Sequence, residues 1–176
     1  MPFRWLTTLL VILSVALVAA VVVWLGRGSD SSSPAGEPEL VTTEQLSEFA
    51  GEHGKPVYWL GERRGAKYEL TETSRGRIYL RYLRGDAEAG DKRASFVTVA
   101  TYPGSDGVTA LRLAARKHSG AKLGRTKDGA VLLIDPSSPH NAHLAYRGAN
   151  LQIEVFSPTP GEALRLAAKG DVRPVP

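Results

Sequence analysis

The residues best suited to chemistry lie together in Asp135-Pro-Ser-Ser-Pro-His140-Asn-Ala-His143, nine residues that hold a carboxylate, two hydroxyls and two histidines. An acyl-transfer site built from them would use Ser137 or Ser138 as nucleophile, His140 as base and Asp135 to orient the imidazole. The spacing gives this little support. No strand–elbow–helix signature such as G-x-S-x-G surrounds either serine, and two prolines suffice to explain a turn. The simpler reading is a loop joining two strands.

A metal site would need His140 and His143 on one side of an element. Three-apart histidines share a helix face, but on a strand they point to opposite faces, and no third ligand stands nearby. No metal and no cofactor is therefore expected, and His143 reads as a surface partner of Glu154 across two strands.

The third candidate is a basic stretch. Seven Lys and Arg lie between Arg63 and Arg84, against Glu69 and Glu72. Arg77, Tyr79 and Arg81 share one face of a strand, two guanidinium groups bracketing a phenol. Such a surface suits the phosphates of lipid head groups, another anionic envelope component or an acidic protein partner. Its competitor is a solvated outer sheet face on which Glu69 partly neutralises Arg81. Nucleic acid is not expected, because the interleaved aromatics of a stacking platform are sparse.

These residues must be positioned by elements that the pattern makes legible. Thr42 and Gln45 form a capping box ahead of a first helix whose stripe is Leu46, Phe49 and Ala50, with Val41 as staple and Gly51 and Gly54 at its end. Four strands are expected over 57–60, 67–73, 77–83 and 95–102. Parity favours a three-residue loop Ser74-Arg75-Gly76, with Gly76 left-handed, which pairs Glu69 with Arg81. A basic last turn at Arg116–His118 suits the C-terminal end of a second helix over 106–118.

Two hairpins follow, one around the two-residue turn Asp128-Gly129 and one around Gly148-Ala149. The second sets Ala142, His143 and Leu144 against Val155, Glu154 and Ile153. A last helix takes Thr159 as cap, Pro160 as first residue, Glu162 in a capping box and Gly170 past its end. The order α-ββββ-α-ββββ-α, with tight turns between strands, means α+β with an antiparallel sheet and about three helices. The hexapeptide ALRLAA, at 110–115 and again at 163–168, hints at a duplicated unit, although short Ala/Leu helices resemble one another anyway.

Ahead of this domain, Trp5–Leu25 is a run of 21 uncharged residues. As a helix it spans about 31 Å, the thickness of a hydrocarbon core, with a tryptophan at each end. A cleavable leader is the rival reading, with Val18-Ala19-Ala20 as its cleavage site. The apolar run continues past that site to Leu25, which favours an uncleaved anchor. Arg4 before the run and Arg27 alone close after it set a weak positive-inside bias toward a cytoplasmic N-terminus. The stretch after the anchor is small, polar and proline-containing, a flexible tether reaching on the order of 20 Å.

The expected organisation is residues 1–4 in the cytoplasm, 5–25 in the membrane, 26–40 as linker, 41–173 as an extracytoplasmic α+β domain, and 174–176 as a tail. The net charge of +4 in 176 residues is modest, short of a nucleic-acid footprint. The absence of cysteine excludes disulfides, thiolate metal sites and a thiol nucleophile. Arginine outnumbers lysine by 15 to 7, as in proteins of GC-rich bacterial genomes. The functional expectation is a single-pass bacterial cell-membrane protein whose outward domain binds rather than catalyses. The alternative is an envelope hydrolase using the Asp135–His143 loop.

Overall fold

The computed structural model describes residues 36–52, 54, 56–104 and 106–176. Trp5–Leu25 and most of the linker lie outside the described residues. Among the described residues no helix is long and apolar enough to cross a membrane.

Chain order is β1 (Glu39–Val41), α1 (Thr43–Glu52), β2 (Tyr58–Trp59), β3 (Lys67–Glu72), β4 (Ile78–Leu83), β5 (Val97–Pro103), α2 (Gly107–Lys117), β6 (Lys122–Arg125), β7 (Val131–Ile134), β8 (Asn141–Ala145), β9 (Leu151–Phe156), α3 (Glu162–Ala168) and β10 (Arg173–Pro174). Eight strands make one antiparallel sheet in the order β1-β3-β4-β5-β9-β8-β7-β6, and β2 pairs with β10 in a separate two-stranded ribbon. The class is α+β.

Local chemistry explains most boundaries. The α1 capping box forms reciprocally: the Gln45 N–H donates to Thr42 Oγ1 at 3.2 Å and the Thr42 N–H to Gln45 Oε1 at 2.9 Å. The β3–β4 turn is the expected three-residue loop, with Gly76 at φ 68° and Glu69 opposite Arg81. The β8–β9 register sets His143 opposite Glu154, also as expected.

The β6–β7 turn differs. Arg125 pairs with Val131, and the Thr126 N–H bonds the Ala130 carbonyl, so the loop is Lys127-Asp128-Gly129 rather than Asp128-Gly129. Thr126 causes the change. Its buried hydroxyl takes the Ala130 N–H at 2.8 Å and holds Asp128, which closes the wider loop with Gly129 left-handed.

The cap of α3 differs too. Gly161 occupies the N-cap, and Glu162 reaches back to Ser157 Oγ at 2.6 Å instead of to Thr159. At the two ends of the domain, strand pairing already begins at Glu39, within the stretch read as linker. Val175, read as tail, is buried, with its N–H on the Val57 carbonyl at 2.8 Å.

The sheet's two faces carry different loads. On the inner face Leu70, Leu80, Tyr82, Val99, Leu132, Leu144, Ile153 and Val155 pack with Leu46 of α1, Leu166 of α3, and Val57, Trp59 and Val172 beside the ribbon. On the outer face α2 covers one end, with Val108, Leu111 and Ala114 against Val131, Leu133 and Ala145. The β4–β5 connection covers the other end through Leu83, Ala87 and Phe96. The two ALRLAA segments thus lie on opposite faces and bury different positions, Leu111 and Ala114 in one, Ala163, Leu166 and Ala167 in the other. The repeated hexapeptide therefore has no repeated structural role.

Candidate functional site

The Asp135–His143 loop does not assemble a nucleophile and base. His140 Nδ1 is 2.9 Å from the Ser157 carbonyl and its ring lies against Phe156, so it turns away from Asp135. Asp135 is instead bridged by Ser137, whose hydroxyl and N–H both donate to Oδ1 (2.6 and 2.9 Å), and by His118 Nδ1, 2.7 Å from Oδ2. In a working triad the histidine stands between hydroxyl and carboxylate. Here the carboxylate stands in the middle, and the Ser137 proton points at an acceptor that cannot pass it on. The second histidine, His143, sits across from Glu154 and away from His140. Among the described residues no three His, Asp or Glu are grouped to hold a metal ion.

In the sequence His118 reads only as a helix-end cation, and its link to Asp135 spans 17 positions with no local signal. The link ties the end of α2 to the end of β7. Burial works against the Asp135 charge, but the Ser137 hydroxyl and N–H and the His118 ring outweigh it and hold the carboxyl below its ordinary value of 3.8. A lowered folded value stabilises the protein above the unfolded pKa, and that stability is lost as pH falls through the folded one. The urea midpoint of the native protein should therefore drop more steeply below about pH 4 than that of Asp135→Asn. Parallel profiles would show that the carboxylate contributes nothing.

Arg77, Tyr79 and Arg81 do share the outer face, but their surroundings differ from one another. Arg81 is engaged inside the protein. Its Nη1 meets Glu69 Oε1 at 2.7 Å, its Nη2 donates to the Asp91 and Arg93 carbonyls at 2.7 and 3.1 Å, and its guanidinium lies over Phe96. Glu69 is only 1% exposed and takes the Gly90 N–H on its other oxygen at 2.7 Å. The connection 84–96 has folded over this face, so the face read as solvated is half covered. Tyr79 packs edge-on against Tyr102, and Arg77 stands over the Tyr102 ring. Tyr102 donates to the buried Glu154 at 2.6 Å, and Asn141 holds the carboxylate's other oxygen. Burial first, then the Glu154 charge, push the Tyr102 phenol up, so it stays a donor.

The concave cationic surface lies elsewhere in the same basic stretch. Leu60, Glu62, Arg63, Arg64, Arg84, Asp171 and Arg173 line a shallow, open cleft of about 470 Å³ where the β2–β3 connection, the end of β4 and the approach to β10 meet. A hydroxyl network fixes its floor. Tyr82 Oη accepts the Leu60 N–H at 2.6 Å and donates to the Gly61 carbonyl, and Tyr68 Oη accepts the Arg63 N–H at 2.9 Å. Burial raises the Tyr82 phenol, which keeps it protonated although Arg63 and Arg173 pull the other way.

Gly61 has φ 72°, and a side chain there would meet Arg173 Nη2 at 2.5 Å, so the guanidinium rests directly on bare backbone. The indole N–H of Trp59, which sits opposite Arg173 in the ribbon, is buried without a hydrogen-bond partner. Among the described residues, none of Arg63, Arg64, Arg84 and Arg173 forms an ion pair. Arg63, Arg64 and Arg84 fall in the stretch that composition flags. Arg173 is brought in by β10, and nothing local to it signals this.

Comparison with protein-family models, with curated proteins and with solved structures finds no match.

Proposed function

We propose that this chain is a membrane-anchored protein of the bacterial envelope whose outward domain binds an anionic component in the Arg63/Arg64/Arg84/Arg173 cleft, without catalysing a reaction on it. One observation carries the reading: four arginines line one cleft, none of them neutralised by an ion pair among the described residues. Arginine forks match oxyanions in pairs, and four arginines against two acids leave the cleft a net positive charge that favours an anion. The apolar run Trp5–Leu25 supports the anchor, and the small, polar, proline-containing composition of the stretch after it supports a tether. The engaged Arg81 makes the Arg77–Tyr79–Arg81 face the weaker site.

The test is calorimetric titration of the full chain, in uncharged detergent, with inorganic phosphate and with pyrophosphate. Binding should weaken with added salt and fall about tenfold or more in Arg63→Gln/Arg173→Gln, with Arg77→Gln unchanged. Equal affinity in the cleft variant, or no binding of either anion, overturns the reading.

A further inference from the structure

The cleft also holds Glu62 and Asp171, and for a site that takes an anion this is odd. Two carboxylates oppose the ligand's charge, yet among the described residues neither forms an ion pair or a side-chain hydrogen bond. Four unpaired fork donors and two unpaired acceptors therefore share one space. A bare oxyanion satisfies the first set and is repelled by the second.

The ligand that satisfies both carries an oxyanion and neutral hydrogen-bond donors. The donors are hydroxyls rather than an ammonium group, because the cleft's own charge is +2, four arginines less two acids, and repels a cation. The oxyanion is a phosphate rather than a carboxylate. One guanidinium fork already satisfies both oxygens of a carboxylate, whereas a phosphate offers acceptor positions to several forks at once. Among the described residues Leu60 is the one apolar lining residue and no aromatic residue lines the space, so none of them selects a flat base or a sugar ring by stacking. The volume of about 470 Å³ has room for much more than a lone phosphate.

We infer that the cleft takes a phosphorylated polyol, its phosphate on the arginines and its hydroxyls on Glu62 and Asp171. The inference rests on the anion-binding reading above and deepens it. A lipid head group and a soluble glycerol phosphate both present this chemistry.

The full chain in uncharged detergent is titrated with inorganic phosphate and with glycerol 3-phosphate, in the native form and as Glu62→Met/Asp171→Leu. Vesicles of phosphatidylglycerol and of phosphatidylcholine form a separate arm with the chain reconstituted. Glycerol 3-phosphate should bind about tenfold tighter than phosphate, the worth of one or two retained hydrogen bonds. The two responses should then cross in the variant: phosphate tightens as the opposing charge disappears, while glycerol 3-phosphate loses its advantage. Unchanged circular dichroism controls for folding, since Glu62 is exposed and Asp171 partly so.

Failure of the polyol inference and failure of anion binding look different. If phosphate binds through the arginines but the two ligands bind alike, or if the variant leaves their ratio intact, the polyol inference is overturned and the anion site stands. If neither binds, both readings are overturned. Should phosphatidylglycerol vesicles compete with glycerol 3-phosphate and phosphatidylcholine vesicles not, the source is the bilayer; competition by neither assigns it to the soluble or polymeric phosphate.

Discussion

Arg81→Met lowers the unfolding free energy by about 3–5 kcal/mol, the cost of leaving a buried carboxylate without its ion partner. Glu69 is 1% exposed, so water cannot replace the guanidinium, and only the Gly90 N–H remains on it. The damage should be local as well as global. Arg81 also holds the Asp91 and Arg93 carbonyls, so the 84–96 connection loses its fastening to the sheet and becomes protease-sensitive. Glu69→Leu/Arg81→Met should recover much of the loss, because removing both charges also removes the desolvation cost. Urea denaturation measures the first effect and limited proteolysis the second. An Arg81→Met protein within about 1 kcal/mol of native would show that the pair behaves as a surface contact. A charge reversal at Arg81 meant to test ligand binding would therefore report on folding, which is why the cleft arginines are the informative substitutions.

Gly107→Ala is expected to destabilise by about 2–4 kcal/mol, opposite in sign to helix propensity, which favours alanine by about 0.5–1 kcal/mol. Gly107 opens α2 and is buried; an added methyl would sit 2.1 Å from the Leu151 carbonyl oxygen and 3.0 Å from Ala145 Cβ. The backbone cannot yield cheaply there. Asp106, with φ 28°, caps the same turn by accepting the Thr109 N–H at 3.1 Å, and Gly104 is tied to the Asn150 carbonyl. The helix must lift from β8 and β9, opening the packing around Val108 and Ala145. A neutral or stabilised variant in urea denaturation would mean that α2 does not approach the sheet this closely.

What the sequence made legible is what neighbouring residues decide. Parity alone put Glu69 against Arg81 and His143 against Glu154, because a one-residue slip would have turned Leu70 or Leu144 to the wrong face. The Thr42–Gln45 box worked for the same reason. Where a side chain from just outside a turn takes part, as Thr126 does, or Ser157 ahead of α3, the dipeptide rule selects the wrong loop or cap.

Distant pairings left no trace. Tyr58–Trp59 reads as one more strand of the sheet, yet it leaves the sheet to pair with Arg173–Pro174. The site shows the same division. A cluster of arginines is visible in composition, but which of them stay unneutralised depends on the 84–96 fold-back, which buries Glu69 with Arg81, and on β10, which delivers Arg173. The Asp135–His143 segment is the converse case, since its residues are adjacent in sequence and point apart in space.

The sheet is two local meanders joined along a single seam, where β5 meets β9 and Thr98 pairs with Phe156. The β6–β9 meander closes through short loops, whereas the seam must bring together residues 48 to 58 positions apart, the kind of non-local pairing that slows folding. During synthesis, at roughly 5–20 residues per second, the edge of β5 waits about 3–10 s for β9 to emerge. Over that interval Val99 and Thr101 belong to an unprotected strand, the segment where a holding chaperone or a wrong neighbour would engage first.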